Sequence, residues 1–179
     1  MKVLFLDMDG AGANSDKLIY GWIDEKIKSG MSPSEARTLY RKEFADGLEA
    51  IFPEKSKLIK KIIENTGVKI VWSTDWRKYN PYSDDIESAK EMLNRHDMCG
   101  DALIGYTPNF GSYCYRCEEI NAYIDKEEKS GNTIEKSAVL DDRDDAGYYL
   151  KDNCKFFQTN CNVGITEEIA DEIIKYFNE

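Results

Sequence analysis

Along the chain, apolar positions fall into short uninterrupted runs that alternate with segments in which they recur every three or four residues. The runs Lys2–Asp7, Val68–Ser73, Ala102–Tyr106, Ser137–Asp141 and Lys155–Gln158 predict five strands. The first, second and fourth are mainly apolar without alternation, the pattern of parallel strands covered on both faces. Between them, Lys57–Glu64 places Leu58, Ile59, Ile62 and Ile63 on one helical face, and Glu118–Lys126 does the same with Ile120, Tyr123 and Ile124. A further helix is predicted at about Asp84–Arg95. The last helix carries Ile169, Ile173, Ile174 and Phe177, with Thr166 as its N-cap and Glu167 and Glu168 in its first turn. Strands alternating with helices predict an α/β fold, a doubly wound sheet. The interval from Asn14 to Glu54 is longer than a crossover needs. It reads as two helices, roughly Asp16–Ser29 and Ser34–Ile51, the second opened by Ser32-Pro33. That predicts one domain over 1–179 with a small helical cap inserted after the first strand, at approximately 14–54.

Composition narrows the function. A chain of 179 residues suffices for one domain with a real core. No apolar run approaches the ~18 residues of a membrane span, and the N-terminal stretch is too short for a signal peptide. Five cysteines are an odd number without a secretory signal, so reduced thiols and a cytoplasmic location are expected. The net charge of -10 argues against extended nucleic-acid binding, which rests on cations neutralising phosphates. Such a chain meets a phosphorylated ligand through a divalent cation or a few well-placed Arg and Lys.

Open α/β sheets bind ligands beyond the carboxyl ends of their strands. The first strand delivers Asp7 and Asp9 there; the second delivers Ser73, Thr74, Asp75 and, slightly further on, Arg77; the fourth delivers Asp141 and Asp142. Carboxylates converging from neighbouring strands repel unless a hard cation sits between them, and oxygen ligands of this kind suit Mg²⁺. A carboxylate beside such a metal can attack phosphorus, a second acid can protonate the leaving group, and hydroxyl and cationic side chains can hold the remaining phosphoryl oxygens.

"LFLDMDG", "VKIVWSTD" and "SAVLDD" resemble the first, second and fourth motifs of the haloacid dehalogenase (HAD) superfamily of phosphohydrolases. The resemblance implies a HAD-like sheet of strand order 5-4-1-2-3, with Asp7 as nucleophile and Asp9 as general acid/base. Asp7, the backbone carbonyl of Asp9 and Asp142, with Asp141, would hold Mg²⁺. Thr74 is the implied second-motif hydroxyl, with Ser73 as alternative, and both Ser73 and Arg77 are candidates for substrate contact. The third-motif cation is Arg116 in "YRCEEINAYI"; Lys136 competes, but it abuts the fourth strand and would emerge at its wrong end. A closer likeness, through "STDWR", "GYTP", "VLDDRDD" and "NVGIT", is to the HAD-type domains of RNA-repair proteins, the Swiss-army-knife group, in which a Trp-Arg pair follows the second motif as Trp76-Arg77 does here. The 5'-deoxyribonucleotidases are a more distant likeness.

The implied activity is Mg²⁺-dependent phosphomonoester hydrolysis through an aspartyl-phosphate. The partner would be a phosphorylated small molecule or a nucleic-acid 3'-end phosphate, with free mononucleotides as alternative substrates. A non-catalytic binding module of the same fold is the remaining reading. The chain departs from the family at Gly10-Ala11-Gly12-Ala13-Asn14, where two small residues and an extra Gly predict a more flexible turn. Asp144 and Asp145 read as solvated acids at a helix start, and His96 as a helix cap. Cys114 and Cys117 have C-x-x-C spacing without a second close pair to complete a zinc site. Tyr79, Tyr82, Tyr106, Tyr113 and Tyr115 crowd the loops near the expected site, to stack on a base or to roof the pocket.

Overall fold

The structure is a computed structural model that describes residues 1–12, 16–43, 51–78, 83, 85–111 and 113–179. Five strands, β1 (Lys2–Leu6), β2 (Lys69–Trp72), β3 (Leu103–Tyr106), β4 (Lys136–Asp141) and β5 (Cys154–Gln158), pair in parallel throughout, in the order β3-β2-β1-β4-β5. The uninterrupted apolar runs are explained by the two faces of this sheet. Leu4, Leu6, Ile70, Trp72, Ala138 and Leu140 face one side, and Val3, Phe5, Val71 and Val139 the other. Side chains alternate across a strand, so a strand buried on both sides needs an apolar residue at every position.

Helices cover both faces. On the first side lie α3 (Pro53–Thr66), α4 (Ile86–Arg95) and α6 (Glu167–Asn178), packing Ile59, Ile62, Met92, Leu93, Ile173 and Phe177 onto the sheet. On the second lies α5 (Arg116–Lys129), through Ile120, Tyr123 and Ile124. Their ends follow local chemistry. Pro53 occupies the first turn of α3, where its missing N–H costs nothing, and Gly67 closes that helix in the left-handed conformation. The Asp85 carboxylate caps α4 and the Thr166 hydroxyl caps α6. His96 is the C-cap of α4.

Between β1 and α3 lie two helices, α1 (Asp16–Lys28) and α2 (Pro33–Glu43), which pack together with Trp22 edge-on to Tyr40 at 5.8 Å. Ile51, expected as the end of the second helix, lies outside any helix, because Pro53 starts α3 two residues on. Ala13 and Asn14 lie outside the described residues. Among the described residues, no helix is long and apolar enough to cross a membrane.

Candidate active site

The register of the sheet delivers the acids to one edge. Leu6 pairs with Trp72 on one side and Leu140 on the other, so Asp7, Ser73 and Asp141 are the next residues of three adjacent strands. The Asp7 N–H donates to Leu140 O and the Ser73 N–H to Leu6 O, both at 3.0 Å, which holds the three chain ends level. The chain then turns sharply. Gly12 N–H donates to Asp7 O at 3.0 Å, and a Cβ on Gly12 would lie 2.6 Å from that oxygen. Gly10 has φ +69°, and a Cβ there would meet the Asp142 carboxylate at 2.7 Å. Gly12, the extra glycine expected to loosen the turn, is instead required by close approach, as is the motif glycine Gly10. Ala11 and Gly12 are buried.

One carboxylate oxygen each from Asp7, Asp141 and Asp142 lies within 4.8 Å of the others. Asp7 and Asp141 are 4% and 0% exposed. Burial pushes the Asp7 carboxyl well above the usual range; the charges of Asp141, Asp9 and Asp142 add to this, and Arg116 opposes it. Burial likewise raises Asp141, to about 6, against the pull of Arg116 and of the Arg143 N–H. The Arg143 N–H donates to Asp141 Oδ1 at 2.9 Å, whereas Asp141 Oδ2 is buried without a hydrogen bond among the described residues. This triad is the acid cluster among the described residues that could hold one cation. The Asp9 carboxylate stands apart from it and accepts the Trp76 indole N–H at 2.6 Å.

Arg116, the first residue of α5, reaches back over the acids. Its Nε is 3.6 Å from Asp141 Oδ2, its Nη2 is 3.7 Å from Asp75 Oδ1, and its Nη1 donates to Ser73 O. Lys136 starts β4, at the end of the strand remote from Asp141, with its Nζ 4.3 Å from the centre of the Tyr176 ring. The acids open onto a cavity of about 260 Å³ lined by Asp7, Asp9, Gly10, Asp75, Arg116, Asp142, Arg143 and Cys161.

Several residues sit differently from the sequence reading. Arg77, a candidate for substrate contact, is not in the cavity lining. It is buried, donates to Thr74 O, and pairs with Glu119 at 2.5 Å. Asp145 is not a solvated acid. It is buried, forks onto Arg143 through two bonds of 2.9 Å, and accepts the Arg116 backbone N–H at 2.8 Å. Burial alone would raise its carboxyl, but these bonds hold it below the usual range. Asp144 instead accepts the Tyr148 hydroxyl at 3.0 Å. Ser73 and Thr74 are both fully buried. Tyr106 stacks on Trp72, Tyr113 and Tyr115 are exposed, and Tyr79 and Tyr82 lie outside the described residues. Asp75 and Arg143, which the sequence delivers to the strand ends without a role, line the cavity, whereas the place of Cys161 in that lining and the hold of Trp76 on Asp9 went unread. All four lie in or near motif stretches, but nothing in a linear pattern says which way they turn.

No curated protein and no solved structure matches the chain. A family profile described as the HAD domain in Swiss Army Knife RNA repair proteins matches residues 3–170, and the chain therefore belongs to that family.

Proposed function

We propose that the chain is a Mg²⁺-dependent phosphomonoesterase acting through an aspartyl-phosphate. Family membership implies phosphatase-type hydrolysis. The observation that carries the finer reading is the convergence of Asp7, Asp141 and Asp142, buried and repelling, with Arg116 beside them. Three hard oxygen donors, one of them buried without a hydrogen bond, fit Mg²⁺. Asp7, Asp142 and Asp141 would hold it with the Asp9 backbone carbonyl, and it would offset charge on the phosphoryl oxygens.

In this reading an Asp7 oxygen attacks phosphorus while Asp9 gives its proton to the leaving oxygen, releasing the alcohol. Asp9, now a carboxylate, takes a proton from water; the water oxygen attacks phosphorus and the bond to Asp7 breaks, freeing orthophosphate. The Trp76 indole N–H keeps the Asp9 carboxylate in one place between the two half-reactions. Arg116 faces the phosphoryl group with a guanidinium anchored at Ser73 O. Turnover of p-nitrophenyl phosphate is expected with Mg²⁺ and not with EDTA. Absence of turnover in both would overturn the reading.

Which hydroxyl serves the second motif can be argued from partners. Thr74 Oγ1 accepts the Trp76 backbone N–H at 3.4 Å, a turn within its own loop, whereas Ser73 Oγ is buried with no hydrogen bond among the described residues. Neither residue lines the cavity and each hydroxyl has a proton to give, but Ser73 Oγ has no bond to give up in turning towards a phosphoryl oxygen, which favours it over Thr74 as the donor. Ser73→Ala is expected to lower kcat by about 100-fold, the usual cost of one such donor. Thr74→Val is expected to cost less, and the reverse ranking would restore Thr74.

The family description, of RNA repair proteins, supports a nucleic-acid 3'-end phosphate as substrate, and the net charge of -10 favours short chains over long ones. The cavity of about 260 Å³ is below the ~300 Å³ at which drug-sized ligands begin to fit. It admits a phosphoryl group and leaves the rest of the substrate outside. Comparing 3'-phosphorylated oligonucleotides with mononucleotides separates this from the nucleotidase alternative.

A further inference from the structure

Arg77 and Glu119 form an ion pair that the mechanism above does not use. Each is 5% exposed. Arg77 Nη2 donates to Glu119 Oε2 at 2.5 Å and to Pro108 O at 3.3 Å, and Nη1 donates to Thr74 O. The other Glu119 oxygen accepts the Phe110 N–H at 3.0 Å. The pair thus ties together the loop after β2, the loop after β3 and the first turn of α5. Glu119 lies three residues beyond Arg116, so both face the same way on that turn. Arg116 holds Ser73 O directly, and Glu119 holds Thr74 O through Arg77. Two successive carbonyls are therefore gripped by two guanidiniums governed by a single helical turn.

A trans peptide is planar, with its C=O and N–H pointing opposite ways. Gripping the carbonyls of Ser73 and Thr74 therefore also aims the N–H groups of Thr74 and Asp75, and sets the direction in which Ser73 and Asp75 leave the chain. We infer that Arg77 and Glu119 are positioning residues that fix the Ser73–Asp75 loop for phosphoryl binding, with α5 as the common support for that loop and for Arg116. This rests on the phosphatase reading for its catalytic consequence, and on geometry alone for the tether.

A buried pair loses stability when one partner is removed, but replacing both by apolar residues of similar volume is often neutral or stabilising. The test is therefore the double variant Arg77→Met with Glu119→Leu, in the full chain. Expected are a Tm that falls less than in either single variant, since the Thr74 and Pro108 carbonyls and the Phe110 N–H still lose these partners, a fall in kcat for p-nitrophenyl phosphate of about 100-fold from misplacement of the loop, and a smaller change in KM. The backbone amide resonances of Ser73–Trp76 are expected to shift and broaden, with those of β1 and β4 unmoved. Unchanged kcat together with unmoved loop resonances would overturn the inference and leave the pair merely structural. If wild type shows no turnover, the phosphatase reading fails, and the amide resonances still decide the tether. If the double variant does not fold, Glu119→Gln decides it: broadening confined to the two loops supports the tether, and unmoved resonances overturn it.

Discussion

Asp7→Asn is expected to abolish turnover and, in metal-free buffer, to leave the protein more stable than wild type. The two effects have one cause. Asp7 is held 4% exposed beside Asp141, with Asp9 and Asp142 close enough to raise its carboxyl further. A free-standing carboxylate there costs stability through desolvation and repulsion, which Arg116 opposes. The amide of Asn keeps the shape and removes the charge, so that cost disappears. Each kcal/mol recovered raises Tm by about 2–4 °C for a chain of this length. The amide cannot attack phosphorus, so kcat falls by at least ~10⁴-fold, the scale on which loss of a nucleophile is felt. Thermal melts in EDTA and turnover in Mg²⁺ check both halves. A lower Tm for Asp7→Asn would mean that the acids are not in conflict. Surviving turnover would put the nucleophile elsewhere.

The acids were legible because their positions are properties of strand ends. An apolar run that stops at Asp7, and another that stops at Asp141, place their carboxylates at one sheet edge whatever the helices do. The five strands and both helical faces follow from the same periodicities. What stayed hidden is the support behind the acids. Trp76 reaches Asp9 across 67 positions of sequence, Arg77 reaches Glu119 across 42, and Asp145 reaches Arg116 across 29. Each contact depends on the direction of a side chain leaving a short turn, for which no period exists. Arg77 next to the second motif therefore read as a substrate ligand, because only the packing of α5 shows that Glu119 occupies it. Gly12 read as slack for the opposite reason. Glycine signals freedom in a sequence, and only the 2.6 Å approach to Asp7 O shows that it marks a lack of room.

The buried acids also fix how stability depends on pH, and the proposed metal would oppose that dependence. In the folded, metal-free protein Asp141 titrates at about 6, above its ordinary 3.8, and Asp7 is raised in the same direction. A carboxyl whose pKa is raised on folding contributes its stability in full below its unfolded pKa and loses it as pH climbs through the folded value. For Asp141 alone the difference is worth about 3 kcal/mol. Acids whose pKa is lowered act the other way, but in a different window. Asp75 is one of these: burial raises it, and its Lys78 hydrogen bond and the charge of Arg116 more than offset that. Asp145, forked onto Arg143, is another. Both lose their contribution only as pH falls below their ordinary values. Between pH 4.5 and 7 His96, held by burial below its ordinary 6.5, acts against the buried pair, but two acids outweigh one imidazole, so in EDTA the Tm is expected to fall by several degrees across that range. The proposed Mg²⁺ would bind the deprotonated acids and would have to displace protons at low pH. At 100 times its dissociation constant a ligand adds about 2.7 kcal/mol, or roughly 5–10 °C at the slope given above. That increment is expected in full at pH 7.5 and largely gone at pH 5. Melts at four pH values, with EDTA and with Mg²⁺, check it, and Asp7→Asn should flatten the metal-free slope. A metal-free Tm that rises from pH 4.5 to 7, or a Mg²⁺ increment equal at pH 5 and 7.5, would show that Asp7 and Asp141 do not meet at a common cation.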